Sequence, residues 1–297
     1  MSDFLMTRED WRRMDAAELA RQYSARGTVP DAEVFIKDYR DHSTPMYALP
    51  HVKGARYGEH ADEVLDLFPV PGKKDVPIFV FVHGGYWRSL GREDSAFMAR
   101  SFTQRGIAVA VVNYTLSPEA SLGEIVSQCR RSVAWLYRNG AAHGLDVNHI
   151  VVAGSSAGGH LGGMLMAQDW QAELGLPPQV VKGAALVSGL FDLAPVQQTT
   201  PNQWLGLDEA QALALSPMQS LPLASVKLCI AVAGIDTDEF KRQSLMYAEA
   251  CRWQGCEVSY LDVAGRNHFD VIMDWMEPDA ALTRATWDLF GPAYRSG

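Results

Sequence analysis

The hydrophobic positions of this chain change pattern near Pro77, after which short apolar runs alternate with amphipathic stretches. The runs are rich in Val and Ile and lack polar alternation, which predicts strands that are covered on both faces. They occupy residues 78–82, 107–112, 150–153, 181–187, 226–233 and 258–263. The clearest amphipathic stretch is 122–138, where apolar side chains recur at the spacing of one helix face. Strands that alternate with helices predict an α/β fold, with a mostly parallel sheet and helices on both faces.

The first 50 residues and the segment 193–223 do not follow this alternation. Residues 11–23 have a helical pattern, Gly27 and Pro30 break it, and a second short helix is predicted near 32–39. Residues 57–58 and 64–68 predict an early hairpin. The segment 193–223 contains four prolines, so we expect loops and short helices that form a lid or a pocket wall. The sequence therefore predicts one domain over 1–297, with a helical N-terminal extension at 1–50 and no large cap domain.

The composition is that of a globular protein rather than a disordered chain. The 297 residues are 47% hydrophobic, and a net charge of −9 with a pI near 5.4 argues against nucleic acid or an anionic membrane surface as partner. No apolar run is long enough to span a membrane, and the N-terminus lacks a secretory-signal pattern. The four cysteines form no CxxC pair, which predicts reduced thiols in a cytoplasmic protein. The oligomeric state stays open, with a homodimer the commonest arrangement.

A nucleophile motif follows the predicted strand at 150–153. Residues 154–158 read G-x-S-x-G between a strand and a helix, the context in which a strained turn exposes a serine hydroxyl. Small residues at Gly154 and Gly158 avoid clashes in such a turn. The rival interpretation is the phosphate turn of a dinucleotide-binding fold, but G-x-G-x-x-G is missing and the turn lies past mid-chain. We therefore predict that Ser156 is the nucleophile.

An oxyanion-binding motif ends the predicted strand at 78–82. His83, Gly84 and Gly85 have the H-G-G form, in which glycines without side chains let backbone amides approach a substrate oxygen. The amide of Ala157, the residue after the predicted nucleophile, is a further donor. Alone, the motif could be an ordinary turn at a strand end. Its combination with the Ser156 motif favours an oxyanion hole.

The proton-transfer residues are expected in the chain order serine, acid, histidine. His268 follows the last predicted strand and is the only histidine after His160, so it is the predicted base. Asp236 follows the preceding strand and is the predicted acid. Asp238 and Glu239 are its rivals, although acids are common in the first turn of any helix. The histidines form no HxxxH or HxE pattern and no phosphate-binding GxxxxGK[ST] is found, so we expect no metal and no cofactor.

Together these motifs resemble the α/β-hydrolase superfamily and, within it, the serine-type kynurenine formamidases, or arylformamidases. Residues 83–87 are similar to the HGGxW motif of that family, and residues 236–244 are similar to its acid segment, which favours Asp236 over its neighbours. Further similarities lie at 22–24, 57–58, 65–69, 188–193 and 215–217, so the resemblance covers nearly the whole chain. The chain does not resemble the metal-dependent formamidases, because their histidine-rich ligands are missing from its sequence.

The resemblance implies hydrolysis of N-formyl-L-kynurenine to formate and L-kynurenine, in tryptophan breakdown. Ser156 would attack the formyl carbon, and His268 would protonate the departing arylamine. The amides of Gly84, Gly85 and Ala157 would hold the oxyanion. A formyl group carries no acyl side chain, so this reaction predicts a tight acyl pocket.

The resemblance also implies a small aromatic formamide or ester as the bound partner. The candidates that could stack on its ring, or else pack in the core, are Tyr86, Trp87, Trp204 and Phe269. Arg88 or Arg266 could bind a substrate carboxylate. Two other functions stay open: a carboxylesterase or amidase for short-chain acyl esters, which would use the same residues, and a non-catalytic binding module, which would carry a broken motif.

Overall fold

Residues 10–294, the part of the chain that the computed structural model describes, contain eight β-strands. They are β1 (Val52–Arg56), β2 (Val64–Phe68), β3 (Val76–Val82), β4 (Ala108–Val112), β5 (Leu145–Ser155), β6 (Val181–Val187), β7 (Lys227–Ala233) and β8 (Glu257–Val263). The strands form one sheet in the order β1-β2-β4-β3-β5-β6-β7-β8. The pairs β1/β2 and β2/β4 are antiparallel, and all the others are parallel. The carboxyl ends of β3 to β8 therefore lie at one edge of the sheet, where ligands bind in such folds.

Ten α-helices accompany the sheet in the described part of the chain. They are α1 (Ala16–Gln22), α2 (Ala32–Ser43), α3 (Ala99–Gln104), α4 (Leu122–Asn139), α5 (Ala157–Met166), α6 (Trp170–Glu173), α7 (Asn202–Leu205), α8 (Glu209–Ala214), α9 (Asp238–Trp253) and α10 (Ala281–Asp288). The predicted helix at 122–138 is confirmed as α4, whose first turn is capped by the Ser121 hydroxyl. Short 3₁₀ helices fill several of the connections.

The core lies on both faces of the sheet, as the apolar runs predict. All seven residues of β3 are buried; Val80 packs in the cluster that contains Ile125 of α4, and Phe79 packs in the cluster that contains Phe102 of α3. The expectation of cover on both faces is wrong for β8. This strand lies at the edge of the sheet, and none of its seven residues is buried: three are exposed and four are half-buried.

The N-terminal segment differs from its prediction in detail. The single helix predicted at 11–23 is divided into a 3₁₀ turn, Asp10–Arg13, and α1. The cause is Asp15, whose carboxylate accepts a hydrogen bond from the Glu18 amide at 2.8 Å and so starts a new helix. The helix α2 extends beyond the predicted residue 39 to Ser43. The predicted hairpin is present as β1 and β2, with its first strand before residue 57. Residues 1–9 of the predicted extension lie outside the described residues.

The segment 193–223 consists of loops, the short helices α7 and α8, and 3₁₀ turns, as its prolines predict. Within residues 10–294, no helix is long and apolar enough to cross a membrane. All four cysteines are buried and unpaired.

Candidate active site

A cavity of about 740 Å³ lies beside the carboxyl ends of the central strands. Its lining includes Gly84 and Gly85 after β3, Ser156 after β5 and His268 after β8. Residues that are far apart in the sequence therefore meet at the sheet edge where a parallel α/β fold binds its ligands.

Ser156 occupies a sharp turn between β5 and α5. Its backbone has φ 57° and ψ −121°, a combination that is costly for a residue with a side chain. The turn is held by a 2.9 Å hydrogen bond from the Ser156 amide to the Val187 carbonyl. A Cβ at Gly154 would lie 2.3 Å from the Gly158 carbonyl oxygen, and one at Gly158 would lie 2.1 Å from the Val82 carbonyl oxygen. The predicted need for small residues at both positions is confirmed.

The loop after β3 brings its glycines against this turn. A Cβ at Gly84 would lie 2.8 Å from the Ser155 carbonyl oxygen, and Gly85 has φ 91°, a conformation that favours glycine. Among the residues that the structure describes, the amides of Gly84, Gly85 and Ala157 donate no hydrogen bond to a protein acceptor. Ala157 starts α5, so its amide also lies at the positive end of the helix dipole. Such unpaired amides are suited to bind an oxyanion.

His83, the residue before these glycines, is fixed by contacts with Tyr114. Its ring stacks on Tyr114 with 4.1 Å between centroids, and the Tyr114 hydroxyl donates a 3.0 Å hydrogen bond to the His83 carbonyl. Burial lowers the pKa of His83 to about 4, so the ring is neutral at physiological pH and only weakly basic. Tyr114 was missed by the sequence reasoning, because nothing near it in the sequence indicates a contact with the loop after β3.

His268 and Asp236 form a buried hydrogen-bonded pair. The His268 Nδ1 atom lies 2.7 Å from Asp236 Oδ1, and both side chains are almost completely buried. His268 Nε2 is buried and has no hydrogen-bond partner in the described part of the chain. The ring is thus oriented by a carboxylate at one nitrogen, and its other nitrogen is free to exchange a proton in the cavity that Ser156 also lines.

The two rival acids lie elsewhere. Asp238 is exposed in the first turn of α9. Glu239 is buried, and its two oxygens accept hydrogen bonds from Arg242 at 2.7 and 2.6 Å. The hydroxyl of Tyr23 donates a further hydrogen bond of 2.7 Å to Glu239. Of the three candidates, Asp236 is the carboxylate that contacts His268.

Three of the four predicted aromatic residues line the cavity, and Trp87 does not. Tyr86, Trp204 and Phe269 are in the lining, and the indole N–H of Trp204 donates a 3.0 Å hydrogen bond to the Tyr86 carbonyl. Trp87 has no exposed surface and contacts the ring of His160 edge-on at 5.0 Å between centroids. Consecutive residues at positive φ, 51° and 57°, form this turn, and the two rings stay in edge contact at 6.0 Å between centroids. Trp87 is therefore a core residue.

The structure places the two candidate arginines in different surroundings. Arg88 lines the cavity with its guanidinium 4.8 Å from the centre of the Trp204 ring, and no carboxylate pairs with it among residues 10–294. Arg266 forms a 2.6 Å ion pair with Asp274 and is not part of the lining. Of the two arginines, only Arg88 lies in the cavity, so the structure favours Arg88 as the partner of a substrate carboxylate.

The N-terminal segment forms more of the cavity wall than the segment 193–223 does. The latter contributes Thr200, Pro201 and Trp204. The N-terminal helices and the turn between them contribute Ala20, Arg21, Tyr23, Ser24, Ala25, Arg26, Ile36 and Tyr39. The Tyr39 hydroxyl donates a 2.5 Å hydrogen bond to the Phe269 carbonyl, and the Tyr86 hydroxyl donates one to the Tyr23 carbonyl. This wall was missed, because helical periodicity near the N-terminus does not reveal which loops the helices cover.

His160 is a buried histidine that is not part of the cavity lining. Burial lowers the pKa of His160 to about 4, and its Nε2 atom lies 2.7 Å from the Leu215 carbonyl oxygen. Within residues 10–294, no group of three or more His, Cys, Asp or Glu side chains is arranged to hold a metal ion.

The chain is similar to known proteins over most of its length. A family model described as BD-FAE matches residues 65–191, which include Gly84, Gly85 and Ser156. The kynurenine formamidase of Salmo salar is 32% identical, over 95% of this chain and 98% of that protein. The kynurenine formamidase of Danio rerio is also 32% identical, over 95% of this chain and 99% of that protein. The chain belongs to the kynurenine formamidase family.

Membership of the kynurenine formamidase family confirms the resemblance seen in the sequence, and it makes the chain a hydrolase. The fold has a solved counterpart in the hyperthermophilic esterase from the archaeon Pyrobaculum calidifontis. The superposition covers 97% of this chain and 97% of the esterase, with a TM-score of 0.68 and 19% sequence identity. This similarity concerns the fold alone. The predicted α/β-hydrolase fold is confirmed.

Proposed function

We propose that this protein is a serine hydrolase that converts N-formyl-L-kynurenine to L-kynurenine and formate. The observation that carries the proposal is the pair formed by Asp236 and His268: the Nε2 atom of His268 has no partner in the described residues, and His268 lines the same cavity as Ser156. Two relatives at 32% identity that bear the name kynurenine formamidase support the choice of substrate.

The first half-reaction transfers the formyl group to the enzyme. Ser156 Oγ attacks the formyl carbon while His268 Nε2 takes the hydroxyl proton. The oxygen that becomes negative is held by the free amides of Gly84, Gly85 and Ala157, each worth about 3–4 kcal/mol of transition-state stabilisation. His268 Nε2 then gives its proton to the arylamine nitrogen as the carbon–nitrogen bond breaks, and L-kynurenine leaves.

The second half-reaction releases formate from the formyl-enzyme. His268 Nε2 removes a proton from water as the water oxygen attacks the formyl carbon of the ester at Ser156. The same amides stabilise the second oxyanion, and the Ser156 oxygen leaves with the proton from His268. Asp236 keeps the imidazole ring in the orientation that both steps require.

The cavity lining also suits the remainder of the substrate. Tyr86, Trp204 and Phe269 supply rings against which the substrate's aromatic ring can stack. We propose that Arg88 binds the substrate carboxylate, because it has no carboxylate partner in the described residues and Trp204 holds its guanidinium plane.

Replacing Arg88 by methionine is expected to raise KM for N-formyl-L-kynurenine about 10- to 100-fold with little change in kcat. The reason is that the guanidinium can no longer donate hydrogen bonds to the substrate carboxylate. An aryl formamide without the amino-acid side chain should be hydrolysed equally well by both proteins. Steady-state kinetics with both substrates would test this, and Arg266→Met is the matched control. An unchanged KM for N-formyl-L-kynurenine in the Arg88 variant would remove Arg88 from the binding site.

A carboxylesterase that acts on short-chain acyl esters is the second candidate. It would use the same three residues, and a cavity of about 740 Å³ also accommodates a short-chain ester. The two functions differ in the group that must fit beside Ser156.

The rates of formate release from N-formyl-L-kynurenine and of p-nitrophenol release from acetate and butyrate esters distinguish these functions. We expect deformylation to be the fastest reaction and to disappear in Ser156→Ala. Faster turnover of butyrate than of the formamide would instead identify an esterase. Deformylation that persists in a folded Ser156→Ala protein would contradict the serine mechanism itself.

A further inference from the structure

Ser188 lies directly after β6, at the same sheet edge as the proposed catalytic residues. It is completely buried and has φ 46°, which is unfavourable for a residue other than glycine. Its amide donates a 2.8 Å hydrogen bond to the Ala231 carbonyl, so the strained turn is fixed to the neighbouring strand β7. The fixed backbone sets the direction of the Cα–Cβ bond of Ser188.

The Ser188 hydroxyl points at the proposed catalytic acid. Its Oγ atom lies 2.5 Å from Asp236 Oδ2 and accepts a 3.2 Å hydrogen bond from the Ala233 amide. Since the amide can only donate, the hydroxyl hydrogen is left for the carboxylate. Asp236 therefore has one oxygen on His268 Nδ1 and the other on Ser188 Oγ.

We propose that Ser188 is a positioning residue, which acts on catalysis through Asp236. The proposal rests on the triad assigned above. A carboxylate held at one oxygen alone can rotate about its Cβ–Cγ bond, whereas donors at both oxygens fix its plane. Ser188 thereby aims Oδ1 at His268 and supplies the buried carboxylate with a charge-assisted hydrogen bond.

The same strand end also supports the proposed nucleophile, so a test must separate two effects. The Val187 carbonyl accepts the hydrogen bond from the Ser156 amide, and a substitution at the next residue could disturb that turn. Two variants address this difference. Ser188→Ala removes the hydroxyl and keeps the strained φ, whereas Ser188→Gly removes the hydroxyl and relieves the strain.

We expect Ser188→Ala and Ser188→Gly to lower kcat by the same factor, about 10- to 100-fold, with KM nearly unchanged. The glycine variant should be at least as stable as the alanine variant in thermal unfolding. A loss of activity that follows the hydroxyl rather than stability supports the proposal. Ser132→Ala, which removes a buried hydroxyl on α4, is the matched control and should keep its activity.

A double-mutant cycle with Asp236→Asn is the decisive measurement. If Ser188 acts through Asp236, adding Ser188→Gly to Asp236→Asn should change kcat by less than about two-fold. The same loss in both backgrounds would mean that Ser188 acts independently of Asp236 and would overturn the proposal. So would a folded Ser188→Gly protein with normal kcat. If Asp236→Asn alone kept full activity, the triad itself would be wrong, an outcome that differs from both of these.

Discussion

Replacing Ser156 by alanine is expected to lower kcat by at least about 10⁴-fold, because it removes the atom that forms the acyl bond. The fold should be preserved. Alanine keeps the Cβ, and the Ser156 amide still donates its hydrogen bond to the Val187 carbonyl. The measurement is formate release by purified protein, together with thermal unfolding to establish that the variant is folded.

His268→Ala should have an effect as large as Ser156→Ala, and the double variant should be scarcely worse than either one, because the two residues act as a unit. The matched control is His149→Ala, a half-buried histidine that is not part of the cavity lining. It should stay within about two-fold of the parent in kcat. A folded Ser156→Ala enzyme with substantial activity would exclude the proposed nucleophile.

The features that were predictable from the sequence are those that local spacing determines. The turn around Ser156 needs glycine at 154 and 158 because backbone oxygens lie within 2.3 Å of where their Cβ atoms would be. Such a requirement is visible as G-x-S-x-G in the sequence. The buried strands were predictable for a similar reason, since a strand with neighbours on both sides and helices on both faces must be apolar throughout.

The features that escaped prediction depend on contacts between distant parts of the chain. Tyr86 and Trp87 are adjacent and both aromatic, yet the first lines the cavity and the second is core. Arg266 is a candidate by its place in the sequence, and its 2.6 Å contact with Asp274 exists only in the folded chain. Ser188 is one of many serines in the sequence, and its proximity to Asp236 exists only once β6 and β7 are paired.

Asp236→Asn is expected to reduce kcat by about 10⁴-fold with little loss of stability. The asparagine side chain fits the same space but can present an N–H group to His268 Nδ1. The imidazole would then carry its hydrogen on Nε2 instead of Nδ1, and Nε2 could no longer accept the proton of Ser156. The measurement is kcat for deformylation, with thermal unfolding as the check on folding.

The neighbouring acids make this prediction specific to one position. Asp238→Asn changes an exposed side chain and should leave kcat within about two-fold of the parent. Glu239→Gln weakens the buried pair with Arg242, so its main effect should be a lower free energy of unfolding rather than a selective loss of kcat. If Asp238→Asn were the damaging change and Asp236→Asn were harmless, the 2.7 Å contact with His268 would be structural. The acid would then have to reach His268 from the first turn of α9.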